Sequence, residues 1–290
     1  MNEQLASVLL NASVDHWIRE MRIDTHRTAR RLAELGRLFS SGAKQSGFFY
    51  ESEETLKNPS SMYYPLLAAL CSTVDAESLK TFGMAFGYHC LSRGANRRRA
   101  AVREGCRGVS FLSCVHDATP ALLSERVSSL RPLGTGTYAV YPAADADPAA
   151  LAGVMARQHE CAFLVFDGAA AFDGLLPANA MLFLPAESLL NGAAPRQGAL
   201  YGAYASYDAH TIDEDASEKR VAALSAAGCL FYVLTAASNA APAVCAEAAR
   251  AVQQLRRHMT VPLFPVSLET DASYVDAPAP SLWPIPANAY

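Results

Sequence analysis

The sequence contains no closely spaced cysteine pair. Its seven cysteines, Cys71, Cys90, Cys106, Cys114, Cys161, Cys229 and Cys245, are odd in number and scattered, with neither Cys-x2-Cys nor Cys-x3-Cys spacing. That excludes a zinc ribbon and a locally encoded iron–sulfur motif. Most of these thiols stand among apolar neighbours, as in ECAFLVF and GCLFYVL, and read as reduced core residues. There is no basic excess. Lys and Arg number 24 against 28 Asp and Glu, for a net charge of −4, which argues against a general nucleic-acid surface. No apolar run reaches the roughly 18 residues of a membrane span. The start, MNEQLASVLLNASVDHW, lacks the basic region of a signal peptide. A cytoplasmic protein without membrane attachment is the expectation. Phosphate-loop fingerprints are missing too. GTGTY (134–138) has neither Walker nor Rossmann spacing and precedes a strand, so it reads as a turn. No serine elbow and no His-Glu-x-x-His is present.

What is present is an apolar, alanine-rich chain of 290 residues, 51% hydrophobic and 18% charged, which suits a packed core. Its first third reads as helices. Val14, Trp17, Ile18 and Met21 recur at helical spacing, as do Leu32, Leu35 and Leu38. Asp24 or Thr25 is positioned to cap the second helix. SSGAKQSG (40–47) reads as a loop and Asn58-Pro59 as a turn. The aromatics Phe48, Phe49, Tyr50, Tyr63 and Tyr64 read as helix-packing anchors or, alternatively, as a partner-binding patch. Helices are expected over 61–72 and 76–104. The second is capped by Asp75 and ends on Arg97, Arg98, Arg99 and Arg103, read as a solvated helix end.

The period then changes. Runs at 108–115, 136–142, 161–167, 180–185, 199–206, 229–236 and 261–268 read as strands. Helical stretches at 120–131, 146–158, 215–227 and 240–258 lie between them. This alternation predicts an α/β protein with parallel strands, a partial (β/α) TIM-like barrel behind an N-terminal helical extension. The expected organisation is a helical extension over 1–105, the barrel over 106–275 and a Pro-rich tail over 276–290.

In a parallel barrel, sites form at the strands' C-terminal ends. RGVSFLSCVHD (107–117) reads as the first strand, with Cys114, His116 and Asp117 at its far end. Tyr141, Asp145, Asp167, Glu187, Tyr207, Asp208, His210, Asn239, Glu269 and Asp271 stand at or after the ends of later strands. His116, Asp117, Asp208 and His210 are the candidates for acid–base work. A Cys114–His116 nucleophile pair is the lesser alternative.

The order of segments resembles the radical S-adenosylmethionine proteins, those with a helical extension ahead of their barrel. FGMAFGYHCLSRGANRRRAAVREGCRGVSFLSCVHD resembles that family's last preceding helix and first strand, and LSERVSSLRPLGTGTYAVYP its first barrel helix and second strand. HECAFLVFDGAAAFDGLLPANAMLFLPAES, GALYGAYASYD, GCLFYVLTAA and MTVPLFPVSLETDASYV continue the series to about Tyr274. The family's Cys-x3-Cys-x2-Cys loop is replaced by CVHDATP, with Cys114 alone. Its Gly-Gly-Glu-Pro is replaced by Tyr141-Pro142-Ala143-Ala144, and the helix after the fourth strand is shortened. The resemblance implies cofactor-side positions at Tyr141, Glu187 and Arg196. It implies a degenerate member in which the parent reaction is lost.

The resulting expectation is a non-catalytic, radical S-adenosylmethionine-like barrel acting as a binding, scaffold or regulatory partner, for example of an intact, cysteine-complete homologue. The alternative is an enzyme, or an adenosyl or small-molecule binder, using carboxylates and histidines at the barrel mouth. No metal and no cofactor is predicted. Retention of S-adenosylmethionine chemistry or a 4Fe-4S cluster is the least favoured outcome, since three thiolate ligands are required.

Overall fold

The computed structural model describes residues 3–39, 43–168, 171–172, 174–193, 197–237 and 240–276. The Pro-rich tail beyond 276 lies outside them, as do Asn239 and Arg196. Seven strands form one parallel sheet whose spatial order is the chain order, the topology of a partial barrel. By compactness the chain divides into two units: Val74–Tyr204, and Met1–Thr73 together with Ala205–Tyr290.

The second of these begins with four helices: α1 (Glu3–Ile23), α2 (Thr25–Phe39), α3 (Ala43–Thr55) and α4 (Tyr63–Thr73). Asp24 caps α2, accepting from the Arg27 amide at 2.9 Å. Met21, Ala29, Ala33, Leu56, Tyr64 and Cys71 form a buried cluster between these helices. Tyr64 is its anchor, with His26 stacked on the ring at 3.7 Å and Arg30 Nε donating to the hydroxyl at 2.9 Å. The packing role expected for this tyrosine therefore holds. The expected loop over 40–47 gives way to α3 from Ala43. Ser and Gly set its composition, but Ala43, Lys44 and Gln45 within it are good helix formers. Asn58 makes the expected turn, its Oδ1 accepting from the Ser60 amide at 2.9 Å.

The same unit ends with β5 (Tyr201–Tyr207, from Ala205 onward), α10 (Ile212–Asp215), α11 (Glu218–Ala226), β6 (Phe231–Ala236), α12 (Pro242–Arg257), β7 (Phe264–Ser267) and α13 (Leu268–Asp276). α12 buries Ala248, Val252 and Leu255 at helical spacing, and with them Arg256. A buried guanidinium requires partners. Arg256 Nε donates to Pro265 O at 2.7 Å, Nη1 donates to Asp271 Oδ1 at 3.0 Å, and the group lies 4.7 Å from the Phe264 ring centroid. Beside it, burial pushes the Tyr63 hydroxyl up to about 12, against the opposing Arg256 charge.

Val74–Tyr204 opens with α5 (Ala76–Gly83), capped by Asp75 as expected. A π-helical stretch Met84–Arg93 and α6 (Gly94–Arg103) complete the long predicted helix. Then come β1 (Leu112–Ala118), α7 (Pro120–Leu130), β2 (Thr137–Pro142), α8 (Pro148–Ala156), β3 (Ala162–Phe166), β4 (Ala180–Pro185) and the five-residue α9 (Ala186–Leu190). Thr119 and Asp147 cap α7 and α8, each followed by proline at the first helical turn.

β1 departs from its predicted span. Gly105 and Gly108, both at positive φ, turn the chain after α6, and Cys106 N returns to Ala101 O at 2.9 Å. The strand therefore starts at Leu112 and persists through Ala118. His116 and Asp117 lie within it, not in a loop beyond it. Its pairing with β2 is regular to Val115↔Val140 and then shifts before Ala118↔Pro142. Asp117, at φ 49°, sits in that irregularity. No helix among the described residues is long and apolar enough to cross a membrane.

Candidate functional site

Register decides what meets at the strand ends of Val74–Tyr204. Cys114, Ala139, Leu164 and Met181 are mutual neighbours across β1 to β4. Two residues further along each of the first three strands come His116, Tyr141 and Phe166, and Phe166 is paired with Phe183. Side chains two apart share a face, so these rings form a row. His116 stacks on Tyr141 at 4.6 Å and 15°, Tyr141 on Phe166 at 4.7 Å and 12°, and Phe166 on Phe183 at 5.1 Å and 15°. Tyr204 of β5 meets Phe166 edge-on at 5.3 Å. Ring spacings of this size are favourable for aromatic pairs.

Burial is graded along the row. Phe166 and Phe183 are each 3% exposed, Tyr141 is half-buried and His116 is exposed. Asp167 follows Phe166 and is itself buried, with Oδ2 accepting from the Phe172 amide at 3.0 Å. Burial, and then the Asp167 charge, raise the Tyr204 hydroxyl above its ordinary value.

Of the predicted site residues in this unit, the structure brings His116 and Tyr141 together. Cys114 shares the His116 face of β1 and is exposed, because the strand persists past both. Asp117 is exposed beside them. Glu187 is exposed in the first turn of α9. Arg196 falls outside the described residues. In the other unit, Asp208 makes a turn: its Oδ1 accepts from the His210 amide at 2.8 Å and the Thr211 amide at 3.2 Å, and the Asp208 amide donates to Thr211 Oγ1 at 3.2 Å. His210 is exposed on that turn. Glu269 accepts from the Ala236 amide at 3.0 Å, and Asp271 holds Arg256. These carboxylates thus have structural bonds to backbone or arginine.

Phe166, Phe183 and Tyr204 are participants the residue-by-residue reading did not single out. The signal was an aromatic near the close of successive strands, in TYAVYP, AFLVF and AMLFLP.

The residues present do not fit the cluster that the resemblance implies. Cys114 is the one thiol in the register rows described above. Cys161 and Cys229 stand just ahead of β3 and β6, at the opposite strand ends, where burial pushes their thiols up to about 12 and about 11. Among the described residues, no group of three or more His, Cys, Asp or Glu is arranged to hold a metal ion. Comparison with protein-family models, curated proteins and solved structures gives no match to this chain, so what stands is the fold: a seven-stranded parallel partial barrel with N-terminal helices.

Proposed function

We propose that this chain is a non-catalytic relative of the radical S-adenosylmethionine barrels that works as a binding or scaffold partner. The observation that carries this reading is the His116–Tyr141 stack. In the resembled family, the end of the first strand leads into the cluster loop and the end of the second receives the amino end of S-adenosylmethionine. Here those two positions hold rings that pack on each other and continue into Phe166 and Phe183. A position committed to ring packing supports rigidity of the strand ends, and its exposed terminus at His116 suits contact with a partner. Tyr141, Glu187 and Arg196 would then be remnants of cofactor-side positions. The partner is a cysteine-complete homologue, engaged through the same architecture.

The test is twofold. Anaerobic reconstitution with iron and sulfide, followed by calorimetry with S-adenosylmethionine, should leave iron well below one cluster per chain and no saturable heat. Mixing with the cysteine-complete homologue should give a complex of defined stoichiometry by light scattering. A stoichiometric cluster whose absorbance is lost in Cys114→Ala overturns the reading. So does turnover by this chain alone that His116→Ala abolishes.

A further inference from the structure

The chain has a net charge of −4, yet α2 concentrates Arg27, Arg30, Arg31 and Arg37 against Glu34 alone. Arg37 is taken up by Glu53, Nε to Oε2 at 2.7 Å. Among the described residues the other three form no ion pair. They stand at i, i+3 and i+4, so helical spacing sets them on one face. Arg27 and Arg31 lie about 6 Å apart along the axis, with Arg30 beside them.

Arg30 is held without being neutralised. Its Nε is shared between Leu56 O and Tyr64 Oη, each at 2.9 Å, and both acceptors are uncharged. Tyr64 is buried and itself donates to Leu56 O. His26, one turn before Arg30, stacks on the same tyrosine at 3.7 Å and 17°. One buried ring thus fixes a guanidinium and an imidazole beside the exposed guanidinium groups of Arg27 and Arg31. A side chain already ordered gives up less entropy when it engages a ligand.

These residues line a surface concavity of about 600 Å³, with Asp24 at one end and Glu34 at the other. That volume is of small-ligand size. Asp24 is committed to the start of the helix, its Oδ1 accepting from the Arg27 amide at 2.9 Å. Asp24 and Glu34 stand about 15 Å apart along the axis. A polyanion running along α2 would meet negative charge at both ends. The positive zone between them therefore admits a compact anion and turns away a nucleic-acid strand.

We propose that this concavity binds one phosphate monoester through Arg27, Arg30 and Arg31. Planar guanidinium forks match phosphate oxygens in pairs, and three of them complement a dianion. The open mouth leaves the carrier of the phosphate in solvent. That carrier is a small molecule or a phosphorylated residue of a protein, and the phosphate contacts are the same for both. The site is independent of the aromatic row and of the partner reading above.

The test titrates inorganic phosphate, glycerol phosphate and a phosphoserine peptide into the full chain at constant ionic strength, read by calorimetry. Chloride and the unphosphorylated peptide are the controls. Saturable binding of phosphate to one site is expected. Arg31→Gln should weaken it about tenfold or more. Arg37→Gln removes the same charge from the same helix outside the concavity and should change it less than about twofold. Glu34→Gln should tighten it, since a competing negative charge is gone. Tighter binding of the phosphopeptide than of glycerol phosphate assigns the carrier to a protein, the reverse order to a small molecule, and both support the site. The proposal is overturned by absence of saturable binding to wild type, or by equal losses in Arg31→Gln and Arg37→Gln, which would mark a diffuse positive surface. Circular dichroism of each variant separates misfolding from loss of the site.

Discussion

One set of strands ends in two opposite ways. At the carboxyl ends of β1 to β4, a parallel barrel ordinarily gathers its chemistry, and this chain has placed four rings in contact there. At the amino ends of β2 and β3, where barrels are ordinarily tuned for stability, it has gathered arginines around one carboxylate. The difference teaches that position in a fold sets an expectation that the side chains then have to meet. The ring end is held by dispersion and burial, which charge screening does not weaken. The arginine end is held by charges, which salt screens.

The sharpest way to break this comparison is to remove the ring at the centre of the row. Phe166 touches Tyr141, Phe183 and Tyr204, so Phe166→Ala should cost about 3–5 kcal/mol in urea unfolding. His116→Ala, at the exposed terminus, should cost under about 1 kcal/mol. Similar costs for the two would show that the burial gradient has no energetic counterpart.

At the other end the critical position is backbone. Gly134→Ala forces a side chain into a left-handed conformation and against Gly94 O and Arg98 N. A loss of about 2–4 kcal/mol is expected by chemical denaturation. A loss well below about 1 kcal/mol would mean that α6 does not bear on this turn as tightly as the geometry indicates.

The smallest effect is pH. His89 releases its proton more readily when folded than when unfolded. The unfolded chain therefore binds more protons as pH falls through the ordinary histidine value, and stability drops there. Glu160 is held below its ordinary value when folded. Its contribution is complete above that value and is lost at lower pH, as the folded carboxyl takes up its proton. The thermal midpoint should thus decline in acid in two stages. His89→Gln should remove the first stage and leave the second. If the first stage persists in that variant, another group causes it.

The strands were legible in the sequence because short apolar runs, β-branched or aromatic and bounded by Gly, Pro, Asp or Asn, carry their own signal. β4 spans the predicted residues, and β2 and β3 begin one residue later than predicted. β1 was placed four residues early because Val109 and Phe111 continue the apolar run, while positive φ at Gly108 keeps the backbone turning. The aromatic row was not legible. A stack across strands depends on register, which no local window contains. The basic end of α6 was half legible. Arg99 and Arg103 are exposed as a solvated helix end should be. Arg98 is buried, and Arg97 lines a narrow cleft with Arg93 and Glu160. The wide π-helical turn shifts which residues face inward, and ordinary helical spacing does not anticipate it.

The irregularity in β1 has a consequence for how copies of this chain meet. β1 stands at the end of the sheet order, where unpaired backbone groups would template another strand. Its regular pairing stops at Val115, and Asp117 bends the strand at a left-handed φ. An incoming strand would meet a seven-residue edge bent near its end at a charged residue. The terminal strand thereby discourages its own extension into a larger sheet and keeps an open-ended architecture from growing edge to edge.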